Sequence, residues 1–107
     1  MKILLMIMRN KVLKFIKQFQ NPSTIKVFTE GCCYWFAVIL NRRFKQQHPT
    51  IMYHPINNHF AVRIDGTLYD ITGEIDSKDF WEWRKFANLD YLVTETIYRD
   101  CIYKYDV

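Results

Sequence analysis

Apolar residues recur at helical spacing along the first twenty positions. Leu5, Met8, Val12, Phe15, Ile16 and Phe19 form one stripe, and Lys11, Lys14 and Lys17 lie off it. The spacing predicts an amphipathic helix over residues 1–20, its apolar face packed on a core. A basic amphipathic helix can also lie on a membrane surface. Packing is the preferred reading, because so short a chain needs that apolar area. Asn21-Pro22-Ser23-Thr24 breaks the pattern. A second helical segment follows and is most apolar from Cys32 to Phe44, with Thr29 or Gly31 as candidate cap. Cys33, Ala37, Leu40 and Phe44 share a stripe at i, i+4, i+7 and i+11. Cys33 therefore points toward the core from the helix's first turn, and Cys32 is rotated from it by ~100°.

His48-Pro49 ends that segment. The pattern then shortens to strand-like runs over Thr50–His54, Asn58–Ile64 and Thr67–Ile71. Asp65-Gly66 between the last two is a two-residue hairpin signal. Ser77–Phe86 reads as a short helix with Ser77 as N-cap and Asp79 in the first turn. Residues 91–105 fit a helix or a strand equally well. The order of elements predicts one α+β domain spanning residues 1–107, with N-terminal helices packed on a small antiparallel sheet. Residues 29–74 form its centre, and residues 77–107 a C-terminal helix and tail.

Composition narrows the class. The chain has 107 residues, half of them apolar and 17% aromatic, enough for one modest core and too apolar for disorder. No apolar run reaches the ~20 residues that span a bilayer. The apolar stretch Ile3–Met8 is shorter than a signal peptide requires, and no small-residue cleavage site follows it. Three cysteines leave no complete disulfide framework, so a reduced, cytoplasmic protein is expected. Charge is uneven. Residues 1–45 carry nine Lys/Arg against one acid, Glu30, and residues 46–107 carry six against ten. The basic half suits an acidic partner or a solvated face. Nucleic acid is the less favoured partner.

The hairpin register places candidate chemistry. With Asp65-Gly66 as the loop, Ile64 opposes Thr67, Val62 opposes Tyr69 and Ala61 opposes Asp70. His59, Ala61, Asp70 and Thr72 then share one face, and Phe60, Val62, Tyr69 and Ile71 the other. His59 and Asp70 become diagonal neighbours within reach of a hydrogen bond. A cysteine in the first turn of a helix sits where the helix dipole favours a thiolate. An imidazole can take its proton, a carboxylate can orient the imidazole, and nearby backbone N–H groups can hold an oxyanion. Cys33, His59 and Asp70 have the residue types of such a triad, provided the helix start faces His59.

Gly31-Cys32-Cys33-Tyr34-Trp35-Phe36-Ala37, then His59-Phe60-Ala61-Val62, then Leu68-Tyr69-Asp70 together resemble the papain-like cysteine peptidase superfamily. The order Cys, His, Asp is that family's order, and the resemblance covers residues 29–74. It is nearest to small bacterial and phage members with a Cys-Tyr-Trp-Phe-Ala helix and a Leu-Tyr-Asp-Ile-Thr-Gly strand end. The long insertions and second lobe of the large enzymes are absent. The resemblance implies a minimal papain-like fold, with Cys33 as nucleophile, His59 as general base and Asp70 as orienting residue. Asn58, Tyr34 and Trp35 would contact substrate. The family often completes its oxyanion hole with a polar side chain before the cysteine. Here the positions offer Thr29 and Glu30, and an ionised glutamate does not donate.

Two functions are carried forward. One is a small cysteine hydrolase of peptidase, amidase or deamidase type, acting on an amide or thioester in a protein or peptide. The other is a non-catalytic phage or bacterial binding protein that contacts a host protein through its basic half. A homodimer also fits the aromatic surplus. No cofactor or metal is expected, because His48, His54, His59, Cys32 and Cys33 lack the usual zinc spacing. Phe80-Trp81-Glu82-Trp83 reads as a core patch, and Cys101 as buried.

Overall fold

The computed structural model describes residues 2–89 and 91–102. Three helices lead: α1 (Lys2–Phe19), α2 (Pro22–Thr29) and α3 (Cys33–Arg43), the last followed by a 3-10 turn at Lys45–Gln47. Five strands follow: β1 (Thr50–His54), β2 (His59–Ile64), β3 (Thr67–Asp70), β4 (Gly73–Ile75) and β5 (Trp81–Glu82). The chain closes with α4 (Trp83–Leu89), α5 (Tyr91–Ile97) and a π-helical turn at Tyr98–Ile102. The strands form one antiparallel sheet in the order β4-β3-β2-β1-β5. The class is α+β, with the N-terminal helices packed on the sheet as the sequence predicts.

Local chemistry explains the element ends. The break at residues 21–24 is a capping box. The Asn21 side chain accepts from the Thr24 N–H at 2.9 Å, and the Thr24 hydroxyl accepts from the Asn21 N–H at 3.0 Å. Pro22 occupies the first helical position, where a missing N–H costs nothing. Asp65 (φ 50°) and Gly66 (φ 82°) both take the left-handed conformation of a type I′ turn. The expected register follows, with Ile64 opposite Thr67 and Val62 opposite Tyr69.

Two expectations are corrected. Neither Thr29 nor Gly31 caps α3. The Thr29 hydroxyl donates back to the Ile25 carbonyl at 2.7 Å, within its own helix, and Cys32 fills the cap position without a side-chain bond. Residues 77–86 are not one helix. Asp79 is left-handed (φ 64°), a conformation a right-handed helix cannot contain. Trp81 and Glu82 pair with Tyr53 and Met52 as the edge strand β5, and helix begins only at Trp83. Tertiary strand pairing overrides the local cap signal there. Gly73 opens β4 opposite Asp70, after the two-residue turn at Ile71-Thr72. The undecided segment is helical over the part described. Residues 103–105 and the side chain of Cys101 lie outside the described residues.

One face of the sheet carries the main core. Phe60, Val62, Ile64, Tyr69 and Ile71 meet Val12 and Ile16 of α1 and Cys33, Phe36, Ala37 and Leu40 of α3. Trp83, Ile97 and Ile102 close the same core from the C-terminal end. Phe60 stands among rings, with centroids 4.8 Å from Tyr53, 4.9 Å from Trp83 and 5.0 Å from Tyr34. The opposite face holds a smaller cluster of Met52, Ala61 and Leu68, partly covered by Ile75 and Phe80. The aromatic patch at 80–83 is therefore split: Trp83 is buried, Phe80 is half-buried and Trp81 lies exposed on the edge strand.

The apolar face of α1 meets the core only over its second half. Val12 and Ile16 are fully buried, yet Leu5 is 50% exposed, as are the neighbouring Ile3, Leu4, Met6 and Ile7 to similar or greater degree. Stability should track this division. Leu40→Ala, in the fully buried α3 stripe, is expected to cost ~2–5 kcal/mol. Ile7→Ala should stay within ~0.5 kcal/mol of wild type. Urea unfolding followed by circular dichroism measures both.

Candidate active site

His59 opens β2 and Asp70 closes β3, so both stand at strand ends. Alternation puts them on the face away from the main core. There the His59 Nε2 and Asp70 Oδ2 atoms are 2.7 Å apart. The expected diagonal contact is thus made. Asp70 is buried at 8% exposure, and its second oxygen is also occupied: Oδ1 accepts from the Thr72 N–H at 2.7 Å and from the Thr72 hydroxyl. This is an Asx-type turn in which a carboxylate caps the backbone two residues on. It fixes the carboxylate's rotation and aims Oδ2 at the imidazole.

Cys33 comes from the other side. It is the first residue of α3, and its apolar stripe anchors it in the main core. Cys33 and His59 both sit at element ends. The two side chains interact by hydrogen bonding and by charge. No side chain caps the start of α3, and its first backbone N–H groups have no partner within the helix. The helix start meets the condition the triad requires: it faces His59.

The electrostatics follow from these contacts. The Asp70 bond, with a further contribution from Cys33, raises His59 to a pKa of about 9 against the opposing effect of burial. Burial pushes the Asp70 carboxyl up, but the bonds from His59 and Thr72 outweigh it and hold it below its ordinary value. Burial and the neighbouring Cys33 push the Cys32 thiol up. Both thiols are free. Among the described residues no three His, Cys, Asp or Glu side chains gather as a metal would require.

The remaining candidates are placed as follows. Asn58 is exposed and left-handed (φ 49°), and its Oδ1 accepts from the Tyr53 hydroxyl at 2.7 Å, so it shapes the entry to β2 beside His59. Tyr34 and Trp35 are half-buried next to Cys33. Their rings pack edge to face at 5.3 Å. The Trp35 indole N–H donates to the Ile102 carbonyl at 3.2 Å, which ties the C-terminal turn to α3. Thr29 is engaged within α2 and Glu30 is exposed, so neither is held at the thiol. Sequence reasoning placed Thr72 on the correct face without giving it a role. The Asp-x-Thr pattern was the available signal. It also missed Phe80, whose ring lies 6.3 Å from the His59 ring and 5.1 Å from that of His54.

The fold and this site define a small α+β protein with a cysteine, a histidine and an aspartate brought together in that chain order. Residues 11–98 match the model of a family described as Phage YunG-like protein, and the chain belongs to that family. No curated protein and no solved structure matches it.

The His59–Asp70 pair has a defined pH signature. A raised imidazole contributes stability that is complete below the unfolded value near 6.5 and is lost as pH rises through about 9. A lowered carboxyl contributes stability that is lost only as pH falls through its depressed folded value. Melting temperature should therefore fall between pH 6.5 and 9 in the wild type, and more steeply than in Asp70→Asn. Thermal scans across that range compare the two. Parallel curves would mean the ion pair is absent in solution.

Proposed function

We propose that this protein is a cysteine hydrolase that cleaves an amide or thioester in a protein or peptide, with Cys33 as nucleophile, His59 as proton carrier and Asp70 as orienting residue. The observation that carries the reading is a single imidazole engaged by a buried carboxylate on one side and by a helix-start thiol on the other. Three residues on three elements converge on one imidazole. The resemblance to papain-like cysteine peptidases supports the same roles.

The chemistry runs on these groups. With the proton on His59, the Cys33 sulfur attacks the substrate carbonyl carbon, and the carbonyl electron pair moves to oxygen. The uncapped N–H groups at the start of α3 stabilise that oxyanion. Collapse of the tetrahedral species expels the amine or thiol, which takes the proton from His59 and leaves an acyl-thioester on Cys33. Neutral His59 then removes a proton from water as the water attacks the acyl carbon. Expulsion of the Cys33 sulfur regenerates the starting pair and releases a carboxylic acid. Asp70 holds the ring and stabilises the imidazolium throughout. Asn58 adjoins His59 in sequence, Tyr34 and Trp35 follow Cys33, and these three are the substrate contacts of this reading.

Site-resolved alkylation with iodoacetamide at neutral pH tests the pair directly. Cys33 should react faster than Cys32, and His59→Ala should slow Cys33 by at least ~10-fold while leaving Cys32 unchanged. A Cys33 that reacts only in denaturant is a core residue, and the hydrolase reading falls. A binding protein on the same framework makes the opposite forecast. It would keep its function in Cys33→Ala and lose it on charge reversal of Lys11, Lys14, Arg42 and Arg43.

A further inference from the structure

The first turns of α1 and the groove beside it remain unexplained by the site. Ile3, Leu4, Leu5, Met6 and Ile7 are all exposed, from 46% at Ile7 to 73% at Ile3. Five consecutive residues cover more than one full turn of helix, and on one side Leu5 and Met6 line a small cavity with Ile64, Asp65, Thr67 and Tyr69 of the β2–β3 hairpin. Just past them a groove of about 730 Å3 runs between α1 and the end of α3. Lys11, Lys14, Arg42, Arg43 and Lys45 line it, with Met8, Phe15 and Phe44 at its floor, and no acidic residue enters it. None of these five cations is in an ion pair among the described residues. The Arg43 guanidinium is held over the Phe15 and Phe44 rings, at 5.5 and 5.2 Å from their centroids, and so stays at the groove. Leu4, Met8, Lys11 and Phe15 follow one helical line, which makes the apolar turns and the cationic groove one continuous surface.

We infer that this surface docks the protein on an anionic lipid bilayer, with residues 3–7 inserted among the acyl chains and the groove cations on the lipid phosphates. The geometry selects the occupant. A protein partner packs along one stripe of a helix and leaves the other sides wet. A lipid phase covers the exposed side chains of residues 3–7 together, on every side the hairpin leaves open. A second copy of this chain would bring like charges together at the groove. Several Lys and Arg side chains next to an inserted apolar helix are the arrangement that anionic headgroups recognise. No helix among the described residues is long and apolar enough to cross a membrane, so the association is peripheral. It does not depend on the hydrolase reading.

Co-sedimentation with vesicles tests it: phosphatidylcholine alone against phosphatidylcholine mixed with phosphatidylglycerol. The protein should partition onto the anionic vesicles about 10-fold or more better than onto the neutral ones, and added salt should release it. Leu4→Ser/Ile7→Ser should lose about 10-fold in partitioning on anionic vesicles without a change in melting temperature. Lys11→Glu/Lys14→Glu should erase the preference for anionic lipid. Three results overturn the proposal. One is no partitioning onto either vesicle. The second is a solution dimer that Leu4→Ser/Ile7→Ser dissociates, which makes the patch a self-interface. The third is anionic binding that the two serines leave unchanged, which leaves the groove as a general polyanion site.

Discussion

The two-residue turn at Asp65-Gly66 sets the register on which everything else depends. Both residues take left-handed backbone, which glycine adopts freely and aspartate tolerates. That turn closes β2 on β3 with Ile64 opposite Thr67. Side chains alternate faces along a strand, so a slip of one residue would exchange the two faces. Phe60, Val62 and Tyr69 would leave the core, and His59 would part from Asp70. The fold and the candidate site therefore share one constraint. The apolar side of the hairpin enforces it, since three fully or nearly fully buried side chains resist the slip.

A second tension sits at the start of α3. The stripe that buries Ala37 and Leu40 also draws Cys33 into the core. Polar groups nearby must then be satisfied from within. Asp70 is buried, and its two oxygens are met by His59 and Thr72. Among the described residues no buried side-chain nitrogen or oxygen lacks a partner. Removing one member of such a set leaves the others desolvated and unpaired, which costs more than the lost bond itself. The imidazole is thus raised by its buried carboxylate partner, against the opposing effect of burial.

Much of this was legible in the sequence, for reasons that differ by element. The helix over α1, the stripe of α3, the three central strands and the His59–Asp70 diagonal all follow from periodicity plus one turn signal. These are local patterns with a fixed geometric consequence. The segment at 77–86 was misread because Ser77 and Asp79 imitate a helix cap, and pairing of Trp81–Glu82 with β1 is a non-local fact that no local signal carries. The cap of α3 was misassigned for a related reason. Thr29 has the right side chain, but it ends α2 and bonds backward into it. That the helix start faces His59 required the tertiary structure, since periodicity gives rotation about an axis and not the position of its end.

The first half of α1 shows the limit of pattern reasoning most clearly. A stripe from Leu5 to Phe19 was read as one core-facing surface, yet the sheet supports it only from about Val12 onward. Hydrophobic spacing reports that a face is apolar, not what it meets. Val12 and Ile16 meet protein, whereas residues 3–7 meet solvent, although the helix is continuous. Arg9 marks the change. Its guanidinium reaches back to Glu74 on β4, with Nε to Oε2 at 2.9 Å. Among the described residues it is the ion pair that ties α1 to the sheet, and it stands just after the exposed apolar turns. Beyond that point the helix borders the sheet only through a small cavity that Leu5 and Met6 share with the β2–β3 hairpin. Its apolar side chains gain from burial only when another apolar phase reaches them.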